Sequence, residues 1–213
     1  MKVAILSESE ADEAAIRVLV EGLLGKQTEP PAHMLPIRSR GYGAVFKVLR
    51  TVIRHLHYRT DAEGFVVVLD SDRTPVHQEP HDQPGEAEEH CRLCRLRTVT
   101  AEVLGQLAPR SAYGPLKTAF GLAVPQIEAW YLIGRDPHVG EAGWRLGLQS
   151  GRFPYRSDVL KQKVYGMAHP ALGLEKQRAV EEAQRIVREG KWPQLAVWFP
   201  AGFGALASDV RSW

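Results

Sequence analysis

Asp70 and Asp72 end the most apolar short run of the chain, Phe65-Val66-Val67-Val68-Leu69-Asp70-Ser71-Asp72. Such a run reads as a strand buried on both faces that empties into a loop. Side chains of an extended chain repeat every two residues, so the pattern points both carboxylates to one side. Two acids that close repel unless a positive charge lies between them. The carboxyl end of a strand is the usual ligand position in an open α/β sheet, so a divalent metal is one reading. A pair of loop acids, one of them capping a turn, is the other.

A second acidic group, Glu8, Glu10, Asp12 and Glu13, follows the first apolar run. Asp12 and Glu13 suit a helix N-terminus, where acids offset the dipole and the orphan N–H groups. Glu8 lies between strand and helix and has no such ready explanation. A further acid, Glu128, sits among Ile127, Ala129, Trp130 and Leu132, which makes it either the exposed side of a helix or a bound group. Glu8, Asp70, Asp72 and Glu128 each fall at or just beyond a strand end. Parallel strands bring such ends to one rim, giving a candidate cage for Mg²⁺ or Mn²⁺.

Two other groups carry chemistry. His77, His81, Cys91 and Cys94 make a candidate four-ligand zinc set in a segment too polar to hold itself by packing. His90 is a substitute ligand, and cysteines three apart could equally share a buried helix face. Between Arg38 and Arg59 no acid occurs, and Arg38, Arg40, Lys47, Arg50, Arg54 and Arg59 are all positive. That is the pattern of a phosphate-tracking surface, or of a solvated helix face. Arg92, Arg95 and Arg97 add a second basic patch.

The elements that must position these groups follow from periodicity. Val3 to Ser7, Met34 to Ile37, Phe65 to Leu69 and Thr118 to Val124 read as strands. Ala11 to Leu24 reads as a helix stopped by Gly25, with Ile16, Leu19, Val20, Leu23 and Leu24 on one face. A second helix follows Gly41 and Gly43 and carries Val45, Leu49, Val52, Ile53 and Leu56. Cys91 to Leu107 forms a third, and Pro125 suits the first turn of a fourth. This alternation predicts an α/β fold with a mostly parallel central sheet and helices on both faces, interrupted by a polar insertion from Arg73. Residues after about 135 read as a helical C-terminal extension packed on the same domain, with helices over Ser157–Val164 and Leu174–Glu189. Trp192 to Pro200 fits neither pattern.

Glu8-Ser9-Glu10-Ala11-Asp12 after a strand resembles the first motif of TOPRIM domains, Glu-Gly-x-x-Asp, and Asp70-Ser71-Asp72 resembles their Asp-x-Asp. Ile127-Glu128-Ala129-Trp130 resembles a segment of OLD-like nucleases and related uncharacterised families. The resemblance covers residues 1–135, and Ser9 departs from the family's glycine. It implies a Rossmann-like TOPRIM fold over 1–135, with residues 73–94 as an insertion, and metal-dependent phosphodiester chemistry. Glu8 would be a metal ligand or general base, Asp70 and Asp72 would hold Mg²⁺, and Glu128 with Asp12 would hold a second ion. OLD-like nucleases also place a lysine in the C-terminal part; Lys161, Lys163 and Lys176 are the candidates here, Lys161 first. The resemblance further implies DNA rather than RNA as substrate, an ABC- or SMC-type ATPase as partner, and a setting in phage defence. A non-catalytic interaction subunit and a receiver-like Mg²⁺-binding signalling domain are the competing classes; the acids after the first and fourth strands fit TOPRIM better.

With 213 residues and 44% hydrophobic content, the chain has length for a real core. A net charge of +2 does not by itself call for a polyanion. Two cysteines give no disulfide framework. No apolar run approaches the roughly 20 residues of a membrane span. The opening Met1-Lys2-Val3-Ala4-Ile5-Leu6, followed at once by acids, does not read as a signal peptide, so the cytoplasm is the expected location.

Overall fold

The computed structural model describes residues 1–34, 41–83, 85–110 and 113–213. Three strands, β1 (Val3–Leu6), β2 (Gly64–Asp70) and β3 (Lys117–Ala123), lie parallel in the order β1-β2-β3. Gly64 to Leu69 is buried throughout, as a central parallel strand covered on both faces requires. The helices are α1 (Glu10–Leu24), α2 (Tyr42–Arg59), α3 (Arg92–Gly105), α4 (Glu128–Tyr131), α5 (Glu141–Ser150), α6 (Ser157–Tyr165), α7 (Leu172–Arg188), α8 (Trp192–Trp198) and α9 (Ala205–Arg211). The chain is therefore α/β, and no strand follows β3 among the described residues.

The first helix shows how sequence becomes layer. Ser9 caps it, its hydroxyl accepting from the Asp12 amide at 3.1 Å, and Gly25 ends it in the left-handed region at φ 64°. Ile16, Leu19 and Val20 are buried, each contributing about 1.5–3 kcal/mol. On its other side α1 lies along α7. A Cβ at Gly22 would sit 2.6 Å from Val187 Cγ2, so that approach requires glycine. The helix α9 packs on β3 and α1, whereas α2 pairs with α3. The C-terminal helices thus complete one face of the sheet.

The edge beyond β1 matters for the site. The Val3 amide donates to Glu29 O at 2.9 Å and the Glu29 amide to Met1 O at 3.1 Å, a parallel bridge. Lys2 O accepts from Gly64 on the other side. The chain therefore leaves β1 for one neighbour and returns through α2 to β2 on the opposite neighbour. That reversal is the switch point at which α/β sheets open a ligand crevice. The pairing falls at Glu29, ahead of the expected strand at Met34 to Ile37; Met34 is not in a strand, and residues 35–37 lie outside the described residues.

The helix after β3 also begins later than expected, at Glu128. Pro125 follows a cis peptide bond. Its carbonyl accepts from the Asp72 amide at 2.8 Å, and the Ile127 amide donates to Asp70 Oδ1 at 3.0 Å. These backbone groups serve the β2 loop, and the Pro125 carbonyl is taken by Asp72 ahead of the first turn of α4. Among the described residues no helix is long and apolar enough to cross a membrane.

Candidate functional site

Register brings the first two acids together. Leu6 pairs with Val67, so Glu8, two residues on, reaches the level of the last residues of β2. Its Oε1 accepts from the Asp70 amide at 3.0 Å, while its backbone carbonyl accepts from Gly41, just ahead of α2. Glu8 thus bridges both sides of the switch point. Burial raises its pKa, and the Asp70 amide and Arg92 oppose that rise.

Around this pair runs a cleft of about 490 Å³ lined by Glu8, Asp12, Asp70, Glu128, Lys161 and Glu175, among others. Asp70 is held well above the usual carboxylate range, first by burial and then by Asp12, Glu128, Glu8 and Asp72. Asp12 is pushed up to about 7 by burial, against the Ser9 hydroxyl and with help from Glu128, Glu175 and Glu8. Glu128 is raised by burial, with Lys161 opposing. Lys161 Nζ stands 3.6 Å from Glu128 and 3.3 Å from Glu175. Lys163 instead pairs with Asp136, and Lys176 is exposed outside the cleft. Below the acids the Tyr131 hydroxyl is buried with no hydrogen-bond partner among the described residues.

The donor set is all oxygen, but among the described residues the one His, Cys, Asp and Glu group gathered closely enough to hold a metal ion is His77, His81, Cys91 and Cys94. Seven carboxylates line the cleft, Glu8, Glu10, Asp12, Glu13, Asp70, Glu128 and Glu175, while Lys161 and Arg92 contact three of them, so burial makes the uncompensated charge costly. Without a guest cation the cheaper state is partial protonation, which is what the raised Asp12, Asp70 and Glu128 express.

Asp72 departs from the expected alternation. The strand ends at Asp70, and Asp72 adopts φ 49°, with the Thr74 amide and hydroxyl both donating to Ser71 O. The side chain turns outward, 55% exposed, to meet Arg92 Nη1 at 2.8 Å. It lines a neighbouring cleft with Arg73, Arg92, Trp144 and Phe153. Arg92, read from sequence only as part of a basic patch, is buried, stacks on Tyr42 at 4.0 Å and stands 3.8 Å from Glu8.

The ligand atoms of His77, His81, Cys91 and Cys94 lie within 4.8 Å of one another, so the four form a cluster that could hold a metal ion. His77 Nδ1 is 3.3 Å from Cys94 Sγ and 3.7 Å from Cys91 Sγ, and its Nε2 meets Asp82 Oδ2 at 3.2 Å. A carboxylate behind the ligating histidine is the usual support of a metal site. His90 is exposed and outside the cluster.

On α2, Lys47, Arg50, Arg54 and Arg59 are exposed, and Arg50 is paired with Glu102 at 2.6 Å. Arg38 and Arg40 lie outside the described residues. Gly41 and Tyr42 are the cap and first residue of α2, so Gly43 lies inside the helix.

Glu175 and Tyr131 were not evident in the sequence. Glu175 occupies the first turn of α7, where a dipole role looks the same as a ligand role. No protein-family model matches the chain, and neither the curated proteins nor the solved structures contain a match.

Proposed function

We propose that the chain is a divalent-metal-dependent nuclease cutting DNA phosphodiester bonds, with a TOPRIM-like α/β domain. The observation that carries the reading is the convergence of Glu8 from the β1–α1 loop, Asp12 from α1, Asp70 from β2, Glu128 from α4 and Glu175 from α7 on one cleft at the switch point with Lys161 beside them. The TOPRIM-like motifs supply the reaction class.

Glu8, Asp12, Asp70 and Glu128 would hold Mg²⁺ or Mn²⁺, with Glu175 on the outer side. Bound there, such an ion polarises a phosphoryl oxygen and acidifies water. Glu8 is steered by the Asp70 amide, and a carboxylate raised by burial suits accepting a proton near neutral pH. Lys161, tethered between Glu128 and Glu175, presents a positive charge to the phosphate. Lys47 and Arg54 on α2 track the backbone beyond the cleft, with Arg50 diverted to Glu102. The His/Cys cluster holds zinc as a structural ion, and an ABC- or SMC-type ATPase is the partner the resemblance implies.

The non-catalytic reading draws on the same contacts. Glu8 and Asp70 both accept backbone amides, a job that needs no metal. Incubating supercoiled plasmid with Mg²⁺ or Mn²⁺ separates the two. Wild type is expected to nick, and Asp12→Asn and Asp70→Asn to lose about a hundredfold or more while keeping the native circular dichroism spectrum. Absence of metal-dependent nicking, alone and with an ATPase partner, sinks the nuclease.

A further inference from the structure

The two cysteines of the His/Cys cluster also begin α3. Cys91 is its cap, Arg92 its first residue, and Cys94 stands one turn on. His77 and His81 arrive from the insertion that opens immediately after Asp72. The cluster therefore ties the loop leaving β2 to the helix that carries Arg92.

Apart from the cluster the insertion is held mainly by polar contacts from its neighbours, Trp144 to Asp72 O, Arg145 to Gln78 and Arg97 to Asp82. From Asp72 to His90, Val76 and His77 are the buried residues among those described. Such a segment gains its order from a bound ion rather than from apolar packing. Within it His77 is oriented by Asp82, which is fixed in turn by Arg97 at 2.6 Å.

Arg92 is the other half of the device. Its guanidinium donates to Asp70 O, pairs with Asp72 Oδ2 at 2.8 Å and stacks on Tyr42. One side chain thus grips both aspartates of the motif and the start of α2. The three loop amides beneath it are all bonded: Asp70 to Glu8, Ser71 to Ala123 and Asp72 to Pro125.

We propose that zinc held by His77, His81, Cys91 and Cys94 is what fixes Arg92 on the Asp70–Asp72 loop, so that Arg92 is a positioning residue for the carboxylate cleft and the zinc site sets its order. The inference rests on the zinc assignment above and is independent of whether the cleft cuts DNA. Loss of zinc then loosens the cleft at a distance.

The test is hydrogen exchange on the full-length protein, with zinc measured by elemental analysis. Wild type should carry about one zinc per chain. Cys94→Ser should carry none, and its amides at 70–72 should exchange about tenfold faster or more, with β2 residues 65–68 unchanged. Arg92→Ala should retain zinc and still loosen 70–72, and Arg92→Lys should restore part of the protection. Unchanged protection at 70–72 in zinc-free Cys94→Ser, or in Arg92→Ala, overturns the coupling; zinc-free wild type overturns the zinc assignment. If Cys94→Ser loses protection through β2 as a misfolded chain would, chelated wild type decides: protection at 70–72 that returns on zinc addition supports the coupling, and protection indifferent to zinc overturns it. Nicking is not read, so every outcome leaves the nuclease proposal standing or falling on its own.

Discussion

Substituting Asp12 by asparagine should remove a measurable part of a pH-dependent loss of stability in the metal-free cleft. Asp12 moves from its ordinary 3.8 to about 7 because burial outweighs the Ser9 hydroxyl and three other acids press on it. An acid with a raised folded-state pKa holds its proton more tightly folded than unfolded. Between about pH 4 and pH 7 the folded chain binds more protons, so stability is fully present at the acid end and falls as pH rises. At about 1.36 kcal/mol per pH unit, the move from 3.8 to about 7 corresponds to roughly 4 kcal/mol. That is on the order of 8–16 °C in melting temperature for a chain of this size. Glu8, Asp70 and Glu128 shift the same way, but a proton on one relieves the rest, so their losses do not add. Asp136, lowered by Lys163, and Asp82, lowered by its His77 hydrogen bond against burial, act in the opposite sense at lower pH. The difference between wild type and Asp12→Asn cancels them. Saturating Mn²⁺ should offset the loss at pH 7.5, by about 2.7 kcal/mol at a hundred times its dissociation constant, and do little at pH 5. Thermal melts from pH 5 to 8, in buffers freed of Mg²⁺ and Mn²⁺ without chelator so that the His/Cys cluster is undisturbed, provide the measurement. A wild type whose pH profile parallels that of Asp12→Asn, or that ignores Mn²⁺ at pH 7.5, refutes the reasoning.

Other expected outcomes follow from single contacts. A Cβ at Gly202 would stand 2.1 Å from Leu122 O, so Gly202→Ala should cost about 3 kcal/mol or more in urea unfolding, the wedge falling between the C-terminal turn and β3. Lys161→Ala should lower metal-dependent nicking about a hundredfold while leaving Mn²⁺ binding in place, measured by single-turnover cleavage and by titration. Lys47→Glu combined with Arg54→Glu should weaken DNA binding and reduce the salt slope by about 0.9 for each phosphate no longer neutralised. Arg50→Ala should do less, because that guanidinium is already occupied by Glu102.

Much of the frame was legible because it is written in local periodicity. The unbroken apolar run of β2 and the spacing of Ile16, Leu19 and Val20 in α1 identify their elements without a partner in view. The His/Cys set was legible for a similar reason: its ligands are close in sequence, although a shared helix face would also account for the two cysteines. What escaped depends on tertiary context. The helix α5 contains Gly143 and Gly147, each costing about 1 kcal/mol in helix propensity, and Gly147 is there because a Cβ would meet Phe153 at 2.9 Å. The segment at Trp192 was unreadable because a seven-residue helix runs into the turn Pro200–Gly204, which the buried Glu141 holds through the Ala201 and Gly202 amides. Asp72 defeated the alternation rule because its backbone leaves the strand region, and no two-residue motif announces that.

The acids of the cleft divide by what neutralises them. Asp70 and Glu8 accept hydrogen bonds from backbone amides that the fold supplies, Ile127 to the first and Asp70 to the second. Asp12 and Glu128 have less: one faces the Ser9 hydroxyl, the other Lys161 at 3.6 Å. The first pair is therefore held in position by the fold, while burial raises Asp70 together with the second pair. Asparagine at position 70 keeps an oxygen for the Ile127 amide and removes the charge. Alanine removes both and leaves a buried donor unpaired, at about 1–3 kcal/mol. Only the asparagine variant separates the scaffold role of Asp70 from its ligand role. Folding thus completes the placement of Glu8 and Asp70, and burial leaves the charge of the metal-free cleft to be neutralised by protons.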